Sequence, residues 1–84
     1  MKLEIKEKVK EIISDLLGIE NIEQIYDESN FSADLGADSL DAVEIIMQVE
    51  GFFDIHIPNE EAETIFTVIS LIEIVEKKIK EKED

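Results

Sequence analysis

"DLGADSLDAVE" (residues 34–44) sets a serine between two acids, just after Gly36 and just before an apolar helical pattern. A helix is expected to start at Asp38 or Ser39. Asp38 is a good N-cap, and Asp41 three residues later adds a box-like acid in the first turn. Downstream, Leu40, Val43, Ile46 and Met47 follow one helical spacing, while Ala42, Ile45, Val49 and Phe53 follow another. The helix is thus apolar over a wide arc. One stripe faces the core; the other either joins it or is presented to something else. Gly51 falls late in this helix and is expected to weaken its last turn by up to about 1 kcal/mol relative to alanine.

Upstream, Ile5, Val9, Ile12, Ile13, Leu16 and Leu17 form the stripe of a first amphipathic helix, and Gly18 is its natural stop. Between the two helices lies a long, mostly polar segment (residues 19–38) with apolar anchors at Ile22, Ile25, Phe31 and Leu35. Loops of that length are uncommon in compact domains, and the anchors predict one that packs on the core. After the second helix the chain turns at Pro58. Asn59 is a candidate N-cap for a short helix through Ile65, and Thr67 for a last helix striped by Val68, Leu71, Ile72, Val75 and Ile79. The tail "KKIKEKED" sets lysines at the C-terminal dipole and is expected to fray. Strand character is confined to "IHI" (residues 55–57) and is weak. The expected fold class is all-α: a four-helix bundle with a short third helix and a long loop between helices one and two, forming one domain over residues 1–84.

The chain has 84 residues, enough for one modest core. Aromatics make up 6%, so that core is mostly aliphatic. There is no cysteine, hence no disulfide, thiolate metal site or cysteine nucleophile. No apolar run approaches the ~20 residues that span a bilayer. The start "MKLEIKEKVK" alternates charge with aliphatics, unlike a signal peptide. A cytoplasmic location is the expectation.

Charge is more informative. Twenty-two acids against eight lysines give −14, and arginine is absent. All eight lysines lie in residues 2–10 or 77–82, and seventeen acids stand between positions 11 and 76 with no lysine or arginine among them. Nucleic acid is disfavoured as a ligand, because neutralising phosphates takes Lys and Arg. Anionic membranes are disfavoured on the same ground. The acids read either as a solvated face or as a surface for a basic protein partner.

Intrinsic catalysis has little to work with. The sole histidine, His56, is seventeen positions from Ser39, and a Ser-His-Asp site would further need an oxyanion hole and a pocket. The acids show neither HExxH nor the spacing of an EF-hand. No catalytic and no metal-ligating residue is assigned. Ser39 on local physics is a helix-start serine. Two features add to that: Gly36 permits close approach by another backbone, and a phosphoester at a helix start is stabilised by free N–H groups and the dipole. A serine modified by another enzyme needs no base of its own.

At this point the residues carry a resemblance. "DLGADSLDAVEIIMQVE" together with "F-DIHIPNEEAETI" resembles the acyl carrier proteins of dissociated (type II) fatty acid synthesis, over essentially the whole chain from the first helix to "TVISLIEIVE". Asp38-Ser39-Leu40 alone is a weak motif; with "DLGA" before it and "IP-EEAE-I" after it, the pattern is highly specific.

The resemblance implies that Ser39 Oγ receives 4′-phosphopantetheine from coenzyme A through a carrier-protein synthase. The terminal thiol then holds growing acyl chains as thioesters for other enzymes, with the chain sequestered between helices. It implies docking of basic patches on fatty acid synthesis enzymes against the second helix. By position, Asp38, Asp41, Glu44 and Glu50 supply the charge, with Val43, Met47 and Ile57 as exposed apolar contacts. A monomer without nucleic acid or membrane insertion is expected. The sequence departs from the family at Gly51 and Phe52, where acids are typical, and at Asn59, where Asp is common after the proline. The first leaves one end of the partner face less charged. Two other readings are compatible with the residues: a carrier of aminoacyl or polyketide cargo, and an acidic adaptor in which Ser39 only starts a helix.

Overall fold

A computed structural model describes residues 2–83. Helices α1 (Lys2–Leu17), α2 (Ser39–Phe53), α3 (Asn59–Ala62) and α4 (Val68–Glu83) follow in order, with a 3₁₀ turn at Ile22–Gln24 in the long loop. The all-α, four-helix expectation holds. Among the described residues the only sheet-like pairing is an isolated antiparallel bridge between Asn30 and Thr67. The segment "IHI" is not a strand, because the Ile57 N–H donates to a side chain of α2 rather than to a neighbouring strand.

The periodic stripes are the core. Ile5, Val9 and Ile13 of α1 are buried with Ile45 and Val49 of α2 and Val68, Leu71, Ile72 and Val75 of α4; Ile12, Leu16, Leu17 and Ile79 pack around them half-buried. Truncating a fully buried member such as Leu71 would cost about 2–5 kcal/mol. α1 stops as its sequence predicts. Gly18 has φ +70°, and the Ile19 N–H donates to Ser14 O at 3.0 Å, which closes a Schellman turn.

The loop between α1 and α2 packs, though not on every expected anchor. Ile25 and Phe31 are buried and Leu35 is half-buried, whereas Ile22 is exposed in the 3₁₀ turn. What the apolar pattern does not reveal is the polar bracing. Val68 N–H donates to Ser29 O at 3.0 Å and Ile69 N–H to Asp27 O at 2.8 Å, so the loop satisfies N–H groups that the start of α4 leaves open. Asp27 also meets Lys6 (2.7 Å) and Lys10 (3.1 Å) on α1.

α2 ends where its apolar stripe does, whereas two later terminal expectations need correction. α2 runs through Gly51 to Phe53 and ends at Asp54, which takes the left-handed conformation (φ 55°) and accepts from Lys82 through its carbonyl and carboxylate, both at 2.8 Å. α3 is capped by Pro58 and not Asn59, since the Pro58 carbonyl takes the N–H groups of Glu61 and Ala62; the turn ends at Ala62, short of Ile65. The tail is helical through Glu83, where Lys82 is held by Asp54; Asp84 lies outside the described residues. Thr67 does cap α4, by reciprocal bonds with Ser70: each backbone N–H donates to the other's hydroxyl, at 3.1 and 3.3 Å.

Candidate functional site: the start of α2 and its clefts

Ser39, singled out in the sequence, is set by the turn that precedes it. Gly36 adopts φ +70°, a conformation costly to residues with a Cβ, and turns the chain into α2. Ala37, next along, is buried and donates to Phe31 O at 2.8 Å. Asp38 then caps the helix as a full capping box. Its Oδ1 accepts the Asp41 N–H at 2.9 Å, and Asp41 Oδ2 accepts the Asp38 N–H at 3.1 Å. Both carboxylates are thereby turned onto backbone, which holds Ser39 in the first turn.

Ser39 is exposed, and its hydroxyl has no hydrogen-bond partner among the described residues. The N–H groups of Ser39 and Leu40 likewise find no protein acceptor there. His56, the only histidine, is exposed in the loop after α2 and has Nδ1 3.4 Å from Glu50, so it is not paired with the serine. Among the described residues no group of three or more His, Asp or Glu side chains is placed to hold a metal ion.

Two open clefts meet at Ser39. One, about 370 Å³, runs between α2 and α3 and is lined by Ser39, Ala42, Val43, Ile46, Asn59, Ala62 and Glu63. The other, about 300 Å³, lies toward the loop, where Phe31, Ala37, Ile65 and Phe66 supply its apolar walls. A larger cleft of about 420 Å³ between α1 and α4 shares no lining residue with these two. The arrangement fits a phosphodiester-linked arm. It offers an accessible hydroxyl, uncommitted N–H donors at the positive end of a helix, and neighbouring clefts with apolar walls.

The α2 stripe of Leu40, Val43 and Met47 is presented outward, with Ile46 half-buried. Leu40, Val43 and Met47 are exposed, Val43 at 52% and Met47 at 62%, and Glu44 stands exposed among them. Two residues expected on this surface are placed otherwise. Ile57 is 4% exposed and belongs to the core, so it is not a surface contact; the loop after α2 folds its side chain inward. Glu50 is half-buried, its side chain 23% exposed, and its Oε2 accepts the Ile57 N–H at 2.7 Å. The exposed ring of Phe66 and Ala62 of α3 were not singled out from sequence, and Asn59 was noted only as a cap and as a departure from the family pattern. Only the three-dimensional placement of α3 beside α2 brings them to Ser39.

Comparison with known proteins accords with this site. The family model described as "Phosphopantetheine attachment site" matches residues 7–76, a span that includes the whole of α2 and both Ser39 clefts. Proteins named acyl carrier protein from Chlorobium phaeobacteroides and Chlorobium phaeovibrioides are each 55% identical to this chain over 75 residues, covering 89% of this chain and 95% of theirs. The one from Chlorobium luteolum is 53% identical over the same span. No helix among the described residues is long and apolar enough to cross a membrane. With the matched family spanning nearly all of the helical core, the chain belongs to the acyl carrier proteins, which are carriers rather than enzymes and bear 4′-phosphopantetheine.

Proposed function

We propose that Ser39 Oγ is the atom joined to 4′-phosphopantetheine, donated by coenzyme A through a carrier-protein synthase. On this reading the chain, one carrier domain over residues 1–84, works as a cytoplasmic monomer. It takes growing fatty acyl chains as thioesters to the separate enzymes of dissociated fatty acid synthesis. The observation that carries the proposal is the exposed, unbonded hydroxyl in the first turn of α2, inside the span matched to phosphopantetheine attachment. When bound, that group supplies a flexible arm ending in a thiol, the sulfur this cysteine-free chain lacks.

The chain's own residues then have three tasks. The free N–H groups of Ser39 and Leu40, with the dipole of α2 behind them, favour a negative phosphate at Ser39. Ala42, Val43, Ile46 and Ala62 give the neighbouring cleft apolar walls where part of an acyl chain is shielded from water. Asp38, Asp41 and Glu44, with Val43 and Met47 exposed beside them, form the surface to which basic patches of partner enzymes dock. Opposite potentials speed and orient such encounters, and the apolar side chains add contact once docked. Glu50 borders this face, and buried Ile57 is no part of it.

The test is covalent. Incubation of the apo protein with coenzyme A, Mg²⁺ and a carrier-protein synthase should add one phosphopantetheinyl group by intact mass, and Ser39→Ala should abolish the addition. No addition, or an addition that survives the substitution, overturns the assignment. Mass spectrometry of the holo protein from its native source identifies the thioester, and an aminoacyl or polyketide unit there would replace the fatty acyl reading.

A further inference from the structure

α3 is a single turn without a side-chain cap and with no buried residue of its own. One isolated turn has little stability, since helix nucleation is unfavourable, so it must be held from outside. Buried Ile57 and Ile65 anchor the chain on either side. Two polar ties add to them. From α2, Glu50 Oε2 takes the Ile57 N–H at 2.7 Å; from α4, Lys78 Nζ meets Glu61 Oε1 at 3.0 Å. The Lys78 tie is packed rather than loose. The lysine side chain is only 16% exposed, and the second carboxylate oxygen of Glu61 is buried without a hydrogen-bond partner. Helical spacing sets Asn59, Ala62 and Glu63 on one side of the turn, where they line the cleft beside Ser39, and Glu61 on another, toward α4.

We infer that the Glu61–Lys78 ion pair is a latch that holds α3 on α4 and so fixes the width of the cleft beside Ser39, making both residues positioning residues for the cargo. The inference rests on the reading that an acyl chain enters that cleft. Its physical basis is a division of labour. The buried apolar anchors flank α3, while the turn that forms the cleft wall has only half-buried Ala62 on the core beside its polar ties. Ion pairs near a surface contribute modestly, so this pair biases the position of the wall rather than locking it.

Two readouts test it. In the apo protein, Lys78→Met and Glu61→Gln should each speed amide exchange at residues 61–65 by about two- to fivefold. Val9 and Leu71 should keep their rates, and Lys78→Arg should restore the wild-type rate. In the holo protein loaded with an octanoyl or an acetyl thioester, hydroxylamine should cleave the octanoyl form more slowly, and Lys78→Met should narrow that difference while leaving the acetyl rate unchanged. Equal cleavage of the two wild-type thioesters removes the acyl-cleft reading, and the exchange rates still report on the latch. Protection in wild type with unchanged α3 exchange and unchanged protection in both variants overturns the latch. So does uniform acceleration through all helices, which marks a merely structural pair.

Discussion

Glu50 Oε2 accepts the backbone N–H of Ile57 at 2.7 Å, tying the last turns of α2 to the segment that leads into α3. An acid on the α2 surface is thereby engaged inside the molecule, while Glu44, six residues earlier, stands in solvent with no partner among the described residues. Glu50→Ala removes the acceptor of a partly buried N–H and should lower stability by about 1 kcal/mol. Glu44→Ala should leave stability within about 0.5 kcal/mol of wild type. Urea midpoints at constant m-value distinguish the two. Equal midpoints for both variants would remove the structural role of Glu50.

The same distinction separates docking from folding among the other acids. Glu44→Lys should weaken binding to the carrier-protein synthase, with a loss that shrinks as salt rises past the point where the Debye length falls below about 8 Å. Asp41 is different because it returns the capping box to Asp38. Asp41→Ala should cost about 1 kcal/mol of stability whatever its effect on docking. Titration calorimetry at low and high salt, beside thermal melts, reads both quantities. A Glu44→Lys defect that is independent of salt would contradict electrostatic docking.

How much of this was legible in the sequence depends on which force set each element. Repeating apolar spacing foretells α1, α2 and α4, because burial of one stripe is what makes those helices stable, and Ile45, Val49, Leu71 and Val75 are where the spacing sets them. The Asp38–Asp41 cap was equally readable, since its bonds are local. Long-range polar bonds were not. Nothing in "YDESN" announces that the carbonyls of Asp27 and Ser29 serve α4, and nothing in "IHIP" announces that Ile57 turns inward while its N–H meets Glu50. Ile57 was expected on the surface only by its position in the family pattern, and a position in a motif does not fix which way the returning chain turns the side chain, here inward. At the site, Ser39 and its acids were legible as a motif, whereas the clefts depend on where α3 lands.

The loop offers a pH test. Hydrogen bonds from Lys6 first and Lys10 next, with their positive charge, hold the Asp27 carboxyl below its ordinary value of 3.8, against a smaller opposing effect of burial. A carboxyl that titrates lower when folded leaves the folded state with fewer bound protons through that window. Its stabilisation is therefore complete above the unfolded value and is lost as pH falls through the folded one. Asp27→Asn should be less stable than wild type near neutral pH, and the difference should close toward about pH 2. Chemical denaturation of both proteins on either side of the isoelectric pH of about 4.2 measures it. A constant difference across that range would show that the asparagine perturbs packing rather than removing a charge pair.

Net charge gives the last prediction. A charge of −14 on 84 residues, with the lysines confined to both ends of the chain, repels itself most strongly in the folded state, where the acids are closest. Screening should therefore stabilise the fold. Millimolar Mg²⁺ added at low ionic strength should raise Tm by several degrees, since about 1 kcal/mol moves a domain of this size by roughly 4–8 °C. Among the described residues no cluster is preset for a metal, so NaCl at sufficient ionic strength should reproduce most of the rise. A flat response to both salts would refute self-repulsion as a limit on stability. A rise that saturates with Mg²⁺ and is not matched by NaCl would refute screening and identify a bound ion instead.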